Sequence, residues 1–243
     1  IKVSHIARLD SLITRRLSGE PLQYVLGRWS FRGLDLMVDR RVLIPRPETE
    51  VVAGYALKEC GRVAGARTAG DTVYAADLGC GSGAIGFAVA DEHPTTLVWC
   101  TDVSAEALAV ARANLAGLGL PARRVNLAQG SWFSALPSQM AGRFDVIVSN
   151  PPYVGEGELL PSEVEDWEPP TALRAGPYGT EDLEHLVDQA SDWLTVSGSL
   201  VLEVSPLLAE AVAERASAAG YREVCVYPDL TGRDRVVVAR GPR

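Results

Sequence analysis

Apolar residues return every three or four positions at Ile6, Leu9, Ile13 and Leu17, which places them on one face of a helix running from Ser4 until Gly19 and Pro21 stop it. Between Trp29 and Ile44 the period shortens to two, with Leu34, Leu36 and Val38 on one side, and this predicts a β-hairpin. A second helix is expected from Glu48 to Glu59, followed by a surface loop over 60–70, where Gly, Ala and Arg crowd together. From Thr72 onward short apolar runs alternate with helical stretches, the pattern of a parallel, doubly wound sheet. The strands fall at 72–77, 97–102, 124–127, 144–149 and 199–204. The helices fall at 83–90, 104–118, 181–194 and 206–219, with Ser104 as an N-cap. The chain closes differently: 223–227 and 235–240 flank a Pro-Asp-Leu-Thr-Gly turn too short for a crossover helix, so these strands are expected to pair antiparallel. The segment 151–180 shows no period. Structureless stretches of that length are usually functional or disordered, and its position directly after an Asn-Pro-Pro-Tyr motif marks it as a substrate-facing lid.

Three units follow: a small helical module over 1–27, a β-hairpin linker over 28–46, and a large α/β domain over 47–243. With 47% hydrophobic and 22% charged residues, the chain has the composition of a soluble globular protein. No run of about eighteen apolar residues is present, so no membrane partner is expected. The first residues have no apolar signal region, which makes the cytoplasm the expected compartment. They also lack an initiator Met, so the helical module is read as incomplete. Net charge is -8, only Lys2 and Lys58 are lysines, and no basic stripe appears, which argues against direct nucleic-acid binding. An acidic surface suits a basic protein partner. Cys60, Cys80, Cys100 and Cys225, and likewise His5, His93 and His185, are too scattered for a metal set; free thiols and no metal are expected.

Chemistry concentrates at two motifs. Asp77-Leu-Gly79-Cys80-Gly81-Ser82-Gly83-Ala-Ile-Gly86 follows a predicted strand and opens a helix, where glycines let the backbone turn and approach a ligand closely. Taken alone, Gly81-x-Gly83-x-x-Gly86 also matches a dinucleotide fingerprint. Asp77 favours a ligand with a positive group and suits a pyrophosphate poorly. Asp102 ends the next strand, placed to accept hydrogen bonds from ribose hydroxyls or to cap the helix after it. Trp132 and Phe133 follow the third strand, where an aromatic ring stacks on a base or packs in the core.

The second motif is Asn150-Pro151-Pro152-Tyr153, entered directly from a buried strand. Two prolines remove donors and restrict the chain, so the Asn150 amide oxygen and the Pro151 carbonyl are held as fixed acceptors. This answers one chemical problem. A planar amide or exocyclic amino nitrogen attacks poorly until its two N–H bonds are gripped in a productive orientation. Tyr153 would pack against the planar group and face a cation.

These residues resemble the release-factor glutamine methyltransferases. The likeness runs through Gly19-Glu-Pro-Leu-Gln-Tyr, Leu43-Ile-Pro-Arg-Pro-Glu-Thr-Glu50, the glycine loop, Trp132-Phe133, Asn-Pro-Pro-Tyr, Glu168-Pro-Pro-Thr-Ala-Leu173 and Asp229-Leu-Thr-Gly232. It implies a class I methyltransferase (Rossmann-like) fold over 47–243, with S-adenosylmethionine as cofactor and S-adenosylhomocysteine as product. It implies that Asp77, Gly79, Cys80, Gly81, Ser82, Gly83, Asp102, Trp132 and Asn150 meet the cofactor. Asn150, Pro151, Pro152 and Tyr153 would form the catalytic and substrate-binding group, receiving the Gly-Gly-Gln glutamine of class 1 peptide-chain release factors. Three departures stand out: Ser131 where relatives often carry Asp, Val204-Ser-Pro-Leu-Leu208 where they often carry a Gly and a Gln, and a shorter N-terminal helical part. The alternatives are a nucleic-acid amino methyltransferase, a non-catalytic module retaining the cofactor pocket, and a nicotinamide oxidoreductase.

Overall fold

Strands that are apolar on both faces must lie between two layers of helices, and the middle of this chain has several. The computed structural model describes residues 3–242. Its main sheet has seven strands: β3 (Val73–Leu78), β4 (Thr96–Asp102), β5 (Val125–Gln129), β6 (Phe144–Ser149), β7 (Leu194–Glu203), β8 (Glu223–Pro228) and β9 (Asp234–Arg240). They are ordered β5-β4-β3-β6-β7-β9-β8, parallel from β5 to β7, with β9 antiparallel to both β7 and β8. All six residues of β6 are buried, as a central strand requires. The expected terminal hairpin is therefore present, with β9 inserted between β7 and β8.

One face is covered by α3 (Pro47–Gly65), α4 (Ala84–Glu92) and α5 (Ala105–Gly117), which bring Val52, Ala56, Phe87 and Leu108 into a core with Val98, Val146 and Val148. The other is covered by α7 (Glu181–Ala190) and α8 (Ala209–Ala218), whose Leu183, Leu186 and Val212 pack with Phe144, Ile147 and Leu202. Ser104 caps α5 as expected, its hydroxyl accepting from the Ala107 N–H at 3.1 Å. Ahead of the sheet lie α1 (Val3–Leu17), α2 (Leu22–Leu26) and a hairpin of β1 (Arg28–Phe31) and β2 (Leu34–Met37).

The structure corrects three expectations. The helix expected to stop at Glu59 runs on to Gly65, because Cys60 and Val63 are buried against the sheet; the expected loop over 60–70 is half helix. The helix from Glu181 ends at Ala190, because Leu194 pairs with Phe144 and starts β7. After Gly19 and Pro21 the chain re-enters a short helix, α2, which Gly27 ends in a left-handed conformation at φ 73°. The predicted apolar face of α1 forms, but Ile6, Leu9, Ile13 and Leu17 are all exposed. No described helix is long and apolar enough to cross a membrane.

The strand order reverses between β3 and β6. Open α/β sheets bind ligands in the crevice beyond the carboxyl ends of the strands at such a switch point. β3 delivers Asp77 there and β6 delivers Asn150, with Asp77 in register with Val148 on the neighbouring strand.

Candidate active site

The glycine loop is shaped by close approaches. The N–H groups of Gly79 and Cys80 both donate to the Thr101 carbonyl at 2.8 Å, tying the loop to the end of β4. A Cβ on Gly86 would stand 2.3 Å from Cys100 Sγ, so only glycine lets α4 pack this close to the sheet. That proximity places the Gly86 N–H 2.8 Å from Asp77 Oδ2. The other Asp77 oxygen, Oδ1, is buried with no hydrogen-bond partner. Burial, set against the Gly86 contact and reinforced by Asp102, pushes the Asp77 carboxyl up to about 7.

Asp102 accepts from the Gly81 N–H and the Ser104 N–H, both at 2.9 Å, one on each oxygen. It thus anchors the loop and the start of α5, while each oxygen keeps lone-pair capacity for a ligand hydroxyl. Burial raises its pKa, backbone hydrogen bonds from Ser104, Gly81 and Val103 opposing. Trp132 adopts φ 46°, a left-handed conformation costing about 1 kcal/mol or more for a bulky residue. Its ring lies over Gly79, 3.3 Å from where a Cβ would sit, and its Nε1 donates to Asp182 Oδ1 at 3.2 Å. Phe133 instead packs in the core.

Asp77, Gly79, Cys80, Gly81, Ser82, Asp102, Trp132 and Asn150 converge on one cavity of about 240 Å³, far more than a water molecule needs. Pro152 and Thr49 also line it. Gly83 does not; at φ 88° it precedes α4, with the Phe87 ring occupying the space of a Cβ. Pro151 and Tyr153 also lie off this wall, and the Tyr153 hydroxyl turns to Glu203 Oε1 at 3.3 Å. The Asn150 Nδ2 donates to Thr49 Oγ1 at 3.3 Å. Its Oδ1 and the Pro151 carbonyl accept from no protein donor among the described residues.

The segment after the motif is folded. Val154 N–H donates to the Leu173 carbonyl and Ala175 N–H to the Val154 carbonyl, both at 3.0 Å, closing a loop that contains the single-turn helix α6 (Ser162–Glu165). Buried Glu168 fastens it to the start of α3: it accepts from the Ile44 N–H at 3.0 Å and pairs with Arg46. Pro169, Thr171 and Ala172 then form part of the cavity wall. Sequence reasoning missed Thr49, Glu203 and Asp182. The first lies inside the quoted Ile-Pro-Arg-Pro-Glu-Thr-Glu run, and Glu203 ends a strand at the ligand-binding edge, which was the available signal.

Cys60, Cys80 and Cys100 are free and buried, and Cys225 is free and half-buried. Among the described residues no three His, Cys, Asp or Glu side chains cluster as a metal site.

A switch-point cavity with a glycine cradle, an acid ending each of two adjacent parallel strands, and an antiparallel closing strand pair defines a class I methyltransferase. Relatives agree. The family model described as the methyltransferase small domain matches residues 67–164. Curated proteins named release factor glutamine methyltransferase are 36% identical in Rhodopirellula baltica, 39% in Gloeobacter violaceus and 41% in Neisseria gonorrhoeae. Those alignments cover 93, 97 and 96% of this chain and 75, 80 and 81% of the relatives. The chain belongs to the release factor glutamine methyltransferase family. For the fold alone, a methyltransferase from Pyrococcus furiosus aligns with a TM-score of 0.59 at 21% identity, over 99% of this chain and all of that one. The hMettl16 catalytic domain in complex with an RNA hairpin aligns at 0.62 and 17% identity, over 90 and 79%.

Proposed function

We propose that the protein transfers a methyl group from S-adenosylmethionine to the side-chain amide nitrogen, N5, of the Gly-Gly-Gln glutamine in class 1 peptide-chain release factors. One observation carries this reading: Asn150 stands in the wall of a cavity whose lining fits the cofactor, and its Oδ1, like the Pro151 carbonyl next to it in the motif, has no protein donor among the described residues. Two free acceptors match the two N–H donors of a primary amide.

The residues present fit the cofactor. The orphaned Asp77 Oδ1 suits an ammonium group, Asp102 retains capacity for ribose hydroxyls, and Trp132 offers an aromatic face. The loop from Gly79 to Ser82 would pass along it, while Gly83 acts by shaping the turn. When bound, S-adenosylmethionine supplies an electrophilic methyl group and leaves as S-adenosylhomocysteine. The chain's own task is orientation. Asn150 Oδ1 and the Pro151 carbonyl hold both amide hydrogens, which stops rotation and keeps the nitrogen aimed along one line. Pro152 closes the wall, and Tyr153, off the wall, is tied through its hydroxyl to Glu203. One N–H proton is shed to solvent once the new carbon–nitrogen bond has formed, so no strong base is needed beforehand. Within this reading residues 1–27 contribute to partner recognition, 28–46 link, and 47–243 catalyse. Net charge of -8 supports a protein rather than a nucleic-acid partner, and a release-factor substrate implies a cytoplasmic setting with translation factors.

The test is mass spectrometry of full-length release factor, free glutamine and double-stranded DNA, each incubated with the protein and labelled cofactor. Label is expected on the release-factor glutamine alone. Asn150→Ala should lower turnover by on the order of a hundredfold or more while cofactor affinity changes little. Methylation of DNA but not release factor would overturn the substrate, and an active Asn150→Ala would overturn the mechanism.

A further inference from the structure

Behind the motif lies a buried chain of polar groups that the scheme above does not use. Glu203, at the end of β7, is buried and accepts two hydrogen bonds: from Thr49 Oγ1 at 2.7 Å and from the Tyr153 hydroxyl at 3.3 Å. Thr49, in the first turn of α3, is also buried and receives the Asn150 Nδ2. An ionised carboxylate only accepts, and a threonine hydroxyl has one proton. Because that proton is directed at Glu203, the Thr49 oxygen faces Asn150 as an acceptor. The Asn150 amide must therefore turn its nitrogen inward, leaving Oδ1 for the substrate.

Building on the function proposed above, we propose that Glu203 is a positioning residue: through Thr49 it sets which way round the Asn150 amide faces the acceptor nitrogen, and it holds Tyr153 from the same carboxylate. With the amide reversed, Asn150 would present an NH2 group to another NH2 group, and the grip on the acceptor nitrogen would be lost. The direction of every bond in the relay thus depends on one ionised group.

Its surroundings keep that group close to neutrality. Burial pushes the Glu203 carboxyl up to about 7 against the opposing effects of Thr49, Arg235 and Tyr153, with Glu48 at the head of α3 adding to the rise. Arg235 on β9 is itself turned to the Val204 carbonyl at 3.1 Å and lies 3.9 Å from Asp229. The Tyr153 phenol is pushed well above its ordinary value, by burial first and Glu203 next, and so stays a donor. A protonated Glu203 can donate to Thr49, which frees the threonine proton and permits the reversed amide. Turnover should fall as pH drops through the range around 7.

Steady-state kinetics of Glu203→Gln, Thr49→Val and Thr49→Ser, with release factor as substrate and cofactor affinity measured separately, test this. Glutamine presents either an oxygen or an NH2 to Thr49, so Glu203→Gln is expected to lower kcat by roughly tenfold and to lose the acid limb of the wild-type pH profile. Cofactor affinity should stay within about twofold in Glu203→Gln, since Glu203 does not line the cofactor cavity. Thr49→Val, nearly the same shape without the hydroxyl, should match that loss; Thr49→Ser should restore most of it. Combining Thr49→Val with Glu203→Gln should cost no more than either alone, because both break one relay. Wild-type kcat in either Glu203→Gln or Thr49→Val, equal losses in Thr49→Ser and Thr49→Val, or multiplicative losses in the double variant would each overturn the proposal. Should Glu203→Gln fail to fold, the Thr49 pair decides alone. If the wild-type protein methylates a planar nitrogen other than the release-factor glutamine amide, the functional reading fails, and the same variants assayed on that substrate still judge the relay.

Discussion

Asp77 holds one carboxylate oxygen on the Gly86 N–H and leaves the other without a partner, in the wall of the cavity. A buried acid raised to about 7 is half protonated near neutrality, whereas an acid facing a ligand's ammonium group must be ionised. Cofactor binding should therefore release a proton around pH 7. Affinity should rise about tenfold from pH 6 to pH 8, since the ionised fraction rises by that factor. Calorimetry in buffers of different ionisation enthalpy measures the proton directly, and Asp77→Asn should remove both the release and the pH dependence. Binding without proton exchange would take Asp77 away from the ammonium group. The choice of an acid at this position was legible in the sequence. Its missing partner was not, because that depends on how tightly α4 closes over β3 through Gly86.

The segment from Pro151 to Thr180 shows how an element without periodicity is held by single side chains. The segment carries four acids that could steer a basic partner, Glu163, Glu165, Asp166 and Glu168. In the structure Glu163 pairs with Arg16 at 2.6 Å, Glu165 with Arg174 at 2.5 Å, and Glu168 is buried against Arg46 and the Ile44 N–H. Three of the four are thus paired within the molecule: Glu163 and Glu168 hold the segment to α1 and the start of α3, and Glu165 closes it on itself. Glu168→Ala would leave a buried N–H unsatisfied and Arg46 without its partner, a loss of about 1–3 kcal/mol. The expected result is a lower midpoint in urea and faster proteolysis between 155 and 168. Unchanged proteolysis would show that the Val154–Leu173 pairing suffices by itself. Pattern reading placed this segment beside the site because it follows Asn-Pro-Pro-Tyr. It found no structure in it because hydrogen bonds across eighteen or more positions leave no repeat in the chain.

For the whole molecule, two acids buried near the carboxyl ends of β3 and β7 have the same thermodynamic consequence. Asp77 and Glu203 are both raised to about 7 in the folded state, so between their ordinary values near 4 and pH 7 the native protein binds more protons than the unfolded chain. Stability contributed by these groups is full below about pH 4 and is lost as pH rises through 7, opposite to the behaviour of Asp229, which the Thr231 hydroxyl first, then the Arg233 and Thr231 N–H groups and the Arg233 charge, hold well below its usual range. Each raised acid is worth on the order of 2–4 kcal/mol over that span. Urea unfolding at pH 5.5 and pH 8 should show the difference, with the protein less stable at pH 8 and cofactor recovering part of the loss there. A stability that rises steadily from pH 5.5 to pH 8 would contradict the assignment of these acids as desolvated. Strain of this kind, buried charge kept for binding and turnover, sits where a functional site would place it.

The sequence by itself determined the alternation of strands and helices, the glycine turn, Asp77 and Asp102, and the Asn-Pro-Pro-Tyr motif, since each depends on local period or on residues with one conformational use. The helix from Pro47 ran past its predicted end, and the helix from Glu181 fell short of its own, because Cys60, Val63 and Leu194 are apolar residues whose element is chosen by the sheet they meet. The strand order, with β3 beside β6 and β9 between β7 and β8, was decided only in the tertiary structure. So was the meeting of Thr49, Asn150 and Glu203, residues from three distant parts of the chain. Their hydrogen-bond directions depend on burial that excludes water as an alternative partner, and burial is a property of the packed molecule rather than of any stretch of chain.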